Sequence, residues 1–183
     1  RFYNNIFVQR WPRENVVIRS DSEEKYFTEN REVGTHVFDE YVTYDEWISW
    51  FDMDNDTPDM KGLEKYHFRP LPVWVEGNAY LAGATCYRNE KHNLIDTGSQ
   101  ITIELTEEDG HMVLHTNLYD AVRDFEVGMI SSDVLGKAFE PEERFENPDG
   151  SDIIFNRDYL GNHRGTRVIP GPFAEAIKEQ IVY

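Results

Sequence analysis

The sequence carries 35 acidic side chains against 18 basic ones. Paired carboxyls are the machinery of sugar hydrolysis: a retaining glycosidase needs two of them about 5–5.5 Å apart, one with a raised pKa. Abundance alone selects no such pair. Glu104 and Glu107 flank the turn in "IELTEEDGH" and read as solvated. Asp158 in "NRDYLGNHR" lies near Tyr159, His163 and Arg164, a set able to touch a substrate. Charge clusters in loops are more often solvated or structural.

Metal chemistry is weakly encoded. "DMDNDTPD" places Asp52, Asp54, Asp56 and Asp59 close together, and alternating oxygen ligands suit Ca²⁺. The loop lacks the required glycine, having Thr57 at the sixth position, and ends on Leu63 where the bidentate Glu belongs. It reads as an acidic loop. His111 and His115 are four apart but on a strand pattern, with no third ligand at a zinc spacing. They read as solvent-facing. His36, His67, His92 and His163 are scattered and read as structural hydrogen-bonders. No metal and no cofactor are expected.

The single cysteine, Cys86, follows the apolar "YLAGAT" and reads as a buried, inert thiol; no histidine is spaced to activate it. One cysteine excludes an intrachain disulfide and fits the cytoplasm, with export as the alternative. Trp47 and Trp50 share a helical stripe and read as packing residues rather than a sugar platform. Trp11 and Trp74 are less constrained. No phosphate loop and no serine nucleophile elbow occurs.

The elements that must position these residues are mostly strands. In "RFYNNIFV", Phe2, Asn4, Ile6 and Val8 alternate with Tyr3, Asn5 and Phe7. Two adjacent asparagines inside an apolar strand suit a bend where their amides bond to backbone. The unit recurs: "FYNNIFV" aligns with "VEGNAYL", setting Asn5 on Asn78, Ile6 on Ala79, Phe7 on Tyr80 and Val8 on Leu81. A repeated asparagine-then-strand unit is the mark of a stacked β-coil. The long interval between copies requires an excursion, about 20–65. It includes "TYDEWISWFDM", where the Thr43 cap with Glu46 and the Trp47–Trp50–Phe51 stripe predict a helix over 43–53.

"SQITIELTEEDGHMVLHTNL" predicts a β-hairpin, with Ile101, Ile103, Leu105, Met112 and Leu114 on the apolar face. "NLYDAVRDF" suits a short helix or turn. "NPDG" is a turn before a strand over Ile153–Phe155. Pro170, Gly171 and Pro172 form a connector, and Ala174–Ile181 reads as helical.

Net charge is −17. Such a surface repels a phosphate backbone and an anionic membrane, so neither nucleic acid nor membrane is an expected partner. Aromatics at 14% favour broad flat packing surfaces, or a sugar platform, over an aliphatic helical core.

The ordered set "RFYNNIFV", "PVWVEGNAYLAGATCYRNEKHN", "SSDVLGKAFEPEERFENPDGSDIIFNRDYLGNHR" and "PGPF" resembles the C-terminal part of right-handed parallel β-helix glycoside hydrolases, the β-xylosidase family numbered one hundred and twenty. The resemblance implies retaining hydrolysis of β-linked xylose in xylo-oligosaccharides, by an Asp nucleophile and a Glu acid/base. Both would precede the "RFYNNIFV" unit. No stretch here matches them, so no catalytic residue is assigned and the substrate-binding residues stay open.

The expected fold is mainly β: the closing coils of a right-handed parallel β-helix, a C-terminal hairpin and strand cap, and one short inserted helix. Residues 1–98 would form the last coils and 99–183 the hairpin and cap. The chain opens on a strand-like stretch, with its first methionine at Met53. This fits a late portion of a larger enzyme, inactive alone. Expected partners are a xylo-oligosaccharide, the rest of the β-helix chain and, as an option, further copies of itself. The alternative is a non-catalytic carbohydrate-binding or structural β-module.

Overall fold

The structure, a computed structural model, describes residues 1–9, 33–50, 70–139, 141–165 and 167–183. The acidic loop Asp52–Asp59, Trp11, Phe51 and His67 lie outside the described residues.

The fold is mainly β. Strands β1 (Phe2–Tyr3) and β2 (Ile6–Val8) come first, then a 3₁₀ turn His36–Phe38 and helix α1 (Tyr44–Ser49). Strands β3 (Val75–Glu76), β4 (Asn78–Leu81) and β5 (Asn93–Asp96) follow. Next come β6 (Ile103–Glu108), β7 (His111–Thr116), α2 (Leu118–Val122), α3 (Ser132–Leu135) and β8 (Glu179–Ile181).

Parallel pairing organises the first half. β1 pairs with β3, and β2, β4 and β5 form one sheet in that order. The register of β2 on β4 is the one the repeat predicts: Ile6 on Ala79, Phe7 on Tyr80, Val8 on Leu81. Isolated parallel bridges, Gly34 to Thr85 and Val42 to Pro72, add contact on two further lines. The opening stretch breaks into two strands because Asn4 takes φ 57, and Gly77 at the equivalent place takes φ 73. Both bends use the left-handed region, which glycine and asparagine enter most cheaply.

β5 is a third rung the sequence reading did not identify. Asn93 stacks on Asn78, Leu94 on Ala79 and Ile95 on Tyr80. The chain from Ala82 to His92 makes the crossover, near the shortest that joins parallel strands.

α1 begins where predicted: Thr43 Oγ1 accepts from Glu46 N at 3.2 Å. The hairpin also forms as predicted, β6 against β7 around a turn with Asp109 at φ 50 and Gly110 at φ 83. Of its predicted apolar face, Ile101, Ile103 and Leu114 pack against the core cluster, while Leu105 is exposed and Val113, on the opposite face, is buried. β8 pairs with β7, setting Ile181 opposite Val113. Ala174–Ile181 is therefore not helical; its last residues extend β7 into a three-stranded antiparallel sheet. The free edge of β7 needs a partner, and tertiary pairing overrides local helix propensity.

One apolar cluster joins the halves. Ala79 and Leu81 of β4 pack against Leu118, Tyr119 and Val122 of α2 and against Ile169 and Phe173. Burying each large side chain contributes about 1.5–3 kcal/mol, so this cluster holds α2 and the 169–173 segment on the parallel sheet. Among the described residues no helix is long and apolar enough to cross a membrane.

Candidate functional site

Strand period two puts Asn78 and Tyr80 on one face of β4, away from the apolar cluster. Both are fully buried, so their polar atoms need partners. Glu90 supplies them. Its Oε1 accepts from Asn78 N at 3.1 Å and Asn78 Nδ2 at 2.9 Å; its Oε2 accepts from Tyr80 Oη at 2.5 Å. Tyr80 Oη also meets Thr35 Oγ1 at 2.6 Å, and Thr35 Oγ1 accepts from Tyr87 N at 2.8 Å. Burial raises the Glu90 carboxyl above its ordinary range, the donors from Tyr80 and Asn78 offsetting part of the effect, and Tyr80 is raised by burial and by its bond to Glu90. The carboxylate is enclosed by its donors, so this network braces the coil rather than meeting a substrate. Sequence reasoning did not single out Glu90. The signal was present in "GNAY", since two polar groups on the inward face of a strand demand an inward partner.

The open site lies around the Asn4–Asn5 bend. A groove of about 520 Å³ has Phe2, Tyr3, Asn4 and Asn5 on one wall, Ile130 and Leu135 on another, and Phe155 and Arg157 on a third. Arg164, Val168 and Gly171 close it. Its size falls within the roughly 300–1,000 Å³ of small-ligand sites.

Hydrogen bonds fix these walls. Ser132 N donates to Ile153 O at 2.9 Å and Ile153 N to Ser132 Oγ at 2.8 Å, while Phe155 N donates to Ile130 O at 3.0 Å. Asn4 Nδ2 donates to Gly128 O at 2.8 Å, and Gly171 N to Asn4 O at 2.9 Å. Arg164 is spent on backbone: it donates to Gly171 O at 2.7 Å and to Ile169 O and Phe173 O, each at 3.3 Å. The Arg1 guanidinium lies 4.1 Å from the Trp74 ring and 4.8 Å from Phe145, with Nη2 on Lys137 O at 2.6 Å. Burial raises the Tyr3 phenol, against the opposing pull of Arg1.

Among the described residues no Asp or Glu lines the groove. With apolar walls and fixed donors it can hold a ligand, but its described lining offers no carboxyl pair of the kind glycoside hydrolysis requires.

The residues singled out from sequence are dispersed. Glu104 and Glu107 are exposed, as expected. Asp158 accepts from Leu160 N, Asn162 N and Ala174 N at 2.8–3.0 Å, closing its own loop. Burial opposes its ionisation, but the Ala174 and Asn162 donors outweigh that and hold it below the usual carboxylate range. Tyr159 and His163 are exposed. Among the described residues no three His, Cys, Asp or Glu side chains converge to hold a metal.

His111 is exposed, but His115 is not simply solvent-facing. It meets Glu108 at 2.7 Å and Glu179 at 3.6 Å, linking β6, β7 and β8. His36 bonds Thr85 Oγ1 at 2.6 Å and His92 bonds Glu126 O at 2.8 Å, structural roles as expected. Cys86 is half-buried rather than buried; partial burial, then the charge of Glu90, raises its thiol. Trp47 packs on Phe139 at 4.9 Å, and Trp74 on Tyr44 at 5.6 Å.

No family model matches the chain, and no curated protein matches it. A solved structure does: that of XylC in complex with xylose, at TM-score 0.72 and 23% identity. The likeness covers 100% of this chain and 26% of that one, so this chain spans about a quarter of the XylC chain. It shows a shared fold.

Proposed function

We propose that this chain is the closing portion of a right-handed parallel β-helix glycosidase that cleaves β-xylosidic bonds of xylo-oligosaccharides with retention. The observation that carries the reading is the likeness of the whole chain to a quarter of XylC, a protein solved with xylose. The parallel rungs with their stacked asparagines support it. On this reading residues 1–98 are the last coils and 99–183 the hairpin and cap. The cap has a physical purpose, since a terminal rung exposes unpaired backbone and apolar surface. The Asp and Glu of the two-carboxylate mechanism lie outside this chain, the rest of the β-helix is its main partner, and the enzyme is cytoplasmic.

Turnover of a chromogenic β-xyloside tests this. A polypeptide with further coils preceding Arg1 should release the chromophore, and the 183 residues alone should not. Turnover by the 183 residues alone, or by neither form, overturns the reading.

A second reading, a carbohydrate-binding module without chemistry, is favoured by one observation: the described lining of the groove includes Phe2, Tyr3 and Phe155 and no carboxylate. Binding of xylo-oligosaccharides without hydrolysis by either form would select it.

A further inference from the structure

The groove beside the Asn4–Asn5 bend contradicts the charge of the rest of the molecule. The protein carries −17, yet the groove is lined by three arginines, Arg1, Arg157 and Arg164, and among the described residues by no carboxylate. Three described arginines outside it are neutralised: Arg123 pairs with Asp120, Arg144 with Asp133 and Asp152, and Arg167 with Glu126, while Arg88 forms no ion pair among the described residues. Among the described residues, Arg1, Arg157 and Arg164 pair with no carboxylate; they meet main-chain carbonyls and aromatic rings, together with the Tyr3 phenol beside Arg1.

From this we infer that the groove binds an anionic saccharide, a sugar chain bearing a uronic-acid carboxylate, with the carboxylate directed at Arg157. The anion follows from the unneutralised cations. Carbonyl dipoles solvate a guanidinium without cancelling its charge, so the groove keeps a positive potential on an acidic protein. Arg157 commits one Nη to Gly161 O at 2.7 Å, and the remaining edge of its planar fork matches a carboxylate.

The saccharide follows from the walls, and rests on the glycosidase reading proposed above. Phe2, Tyr3, Phe155 and Leu135 offer flat apolar surface, and Phe155 is 55% exposed. Free inorganic phosphate would leave that surface unused. A nucleic acid strand would meet repulsion from the acidic remainder of the molecule. A sugar chain with one carboxylate uses both features: its apolar ring faces lie on the aromatics and its single charge meets the fork.

Calorimetric titration of the full-length protein provides the test. The probes are xylotriose bearing one glucuronic acid branch and unbranched xylotriose. The branched sugar should bind about tenfold tighter, the scale of one charge-assisted bidentate pair. Raising salt from about 0.05 to about 0.5 M should erase most of that preference. Arg157→Gln should abolish the preference, Arg157→Lys, which keeps the charge without the fork, should keep only part of it, and Phe155→Ala should weaken both sugars alike. Both Phe155 and Arg157 are exposed, so a thermal melt should show these variants folded.

Equal binding of the two sugars, or a preference untouched by Arg157→Gln, overturns the inference. Tighter binding of a glutamate-rich peptide than of the branched sugar also overturns it. The parent reading fails separately: acidic-sugar preference without β-xyloside cleavage by the longer polypeptide sinks the glycosidase and leaves the groove assignment supported.

Discussion

Asn5 and Asn78 stand 73 residues apart and share one acceptor: Asn78 Oδ1 takes both Asn5 N–H and Asn5 Nδ2, each at 2.9 Å. The other edge of the same amide divides its two hydrogens between Phe2 O at 3.0 Å and Glu90 Oε1 at 2.9 Å. Aspartate would lack the donors and leucine would lack everything. A side chain thus copies the bend of one rung onto the next, supplying Asn5 N–H with an acceptor while Asn5 O accepts from Ala79 N at 2.9 Å.

Asn78→Ala should therefore cost about 2–4 kcal/mol, since it strands buried donors and acceptors on three neighbours at once. Urea unfolding would show this as a lower midpoint at unchanged slope. An unchanged midpoint would mean that the stacked amide adds nothing to the coil.

Glu90→Gln should change how stability depends on pH. The folded carboxyl titrates above its ordinary 4.5, chiefly through burial. Between the unfolded and folded pKa the native state binds more protons, so stability falls as pH rises through that window. The amide cannot ionise, and the variant's curve should stay flat there. Melting temperatures of the two proteins from about pH 4 to about pH 8 give the comparison. Parallel curves would mean that Glu90 does not titrate differently in the fold. Glu90→Ala, in contrast, should destabilise throughout, because it leaves the Tyr80 and Asn78 donors unmet.

The rungs were legible where the sequence repeats an amide at a bend. The aligned asparagines gave the pairing of β2 on β4 to the residue, because an amide at that corner has a specific geometric job. The hairpin was legible from alternation and its Asp109–Gly110 turn. β5 was missed because "NLID" is short and its alternation ends on Asp96, whose carboxylate caps the next turn through Ser99. β8 was misread because "AEAIKEQI" has high helix propensity, and only the position of β7 makes a strand preferable. The groove could not be read from sequence at all. Its walls come from the first residues, from 130–135 and from 155–171, and nothing local links them.

His115 should act as a pH-dependent staple on the last strand. Its bond to Glu108, with the further charges of Glu179 and Glu104, raises its pKa above 6.5 despite the opposing effect of desolvation. A raised pKa means that the stabilisation is fully present below 6.5 and is lost as pH rises through the folded value. Hydrogen exchange at Val182, whose N–H donates to Met112 O, should accelerate over that rise beyond the intrinsic increase. His115→Gln should remove the extra acceleration. If the variant keeps it, protonation of His115 is not what fastens β8.

Gly171 is the point where the C-terminal connector meets the first rung, and it should tolerate no side chain. Its φ is +93, outside the range that other residues adopt cheaply. A Cβ there would lie 2.7 Å from Ile6 Cδ1 and 2.9 Å from Tyr119 Oη. Tyr119 is anchored in the apolar cluster, so it cannot give way without disturbing Phe173, whose ring lies 5.9 Å from its own. Backbone strain of about 1–2 kcal/mol and overpacking of about 1–3 kcal/mol then add, because they act on different degrees of freedom. Gly171→Ala should lose about 2–5 kcal/mol by urea unfolding. Gly110→Ala, at a turn with open space around it, should lose only the backbone part. The gap between the two variants measures the packing of the connector on the rung, and equal losses would show that no such packing exists.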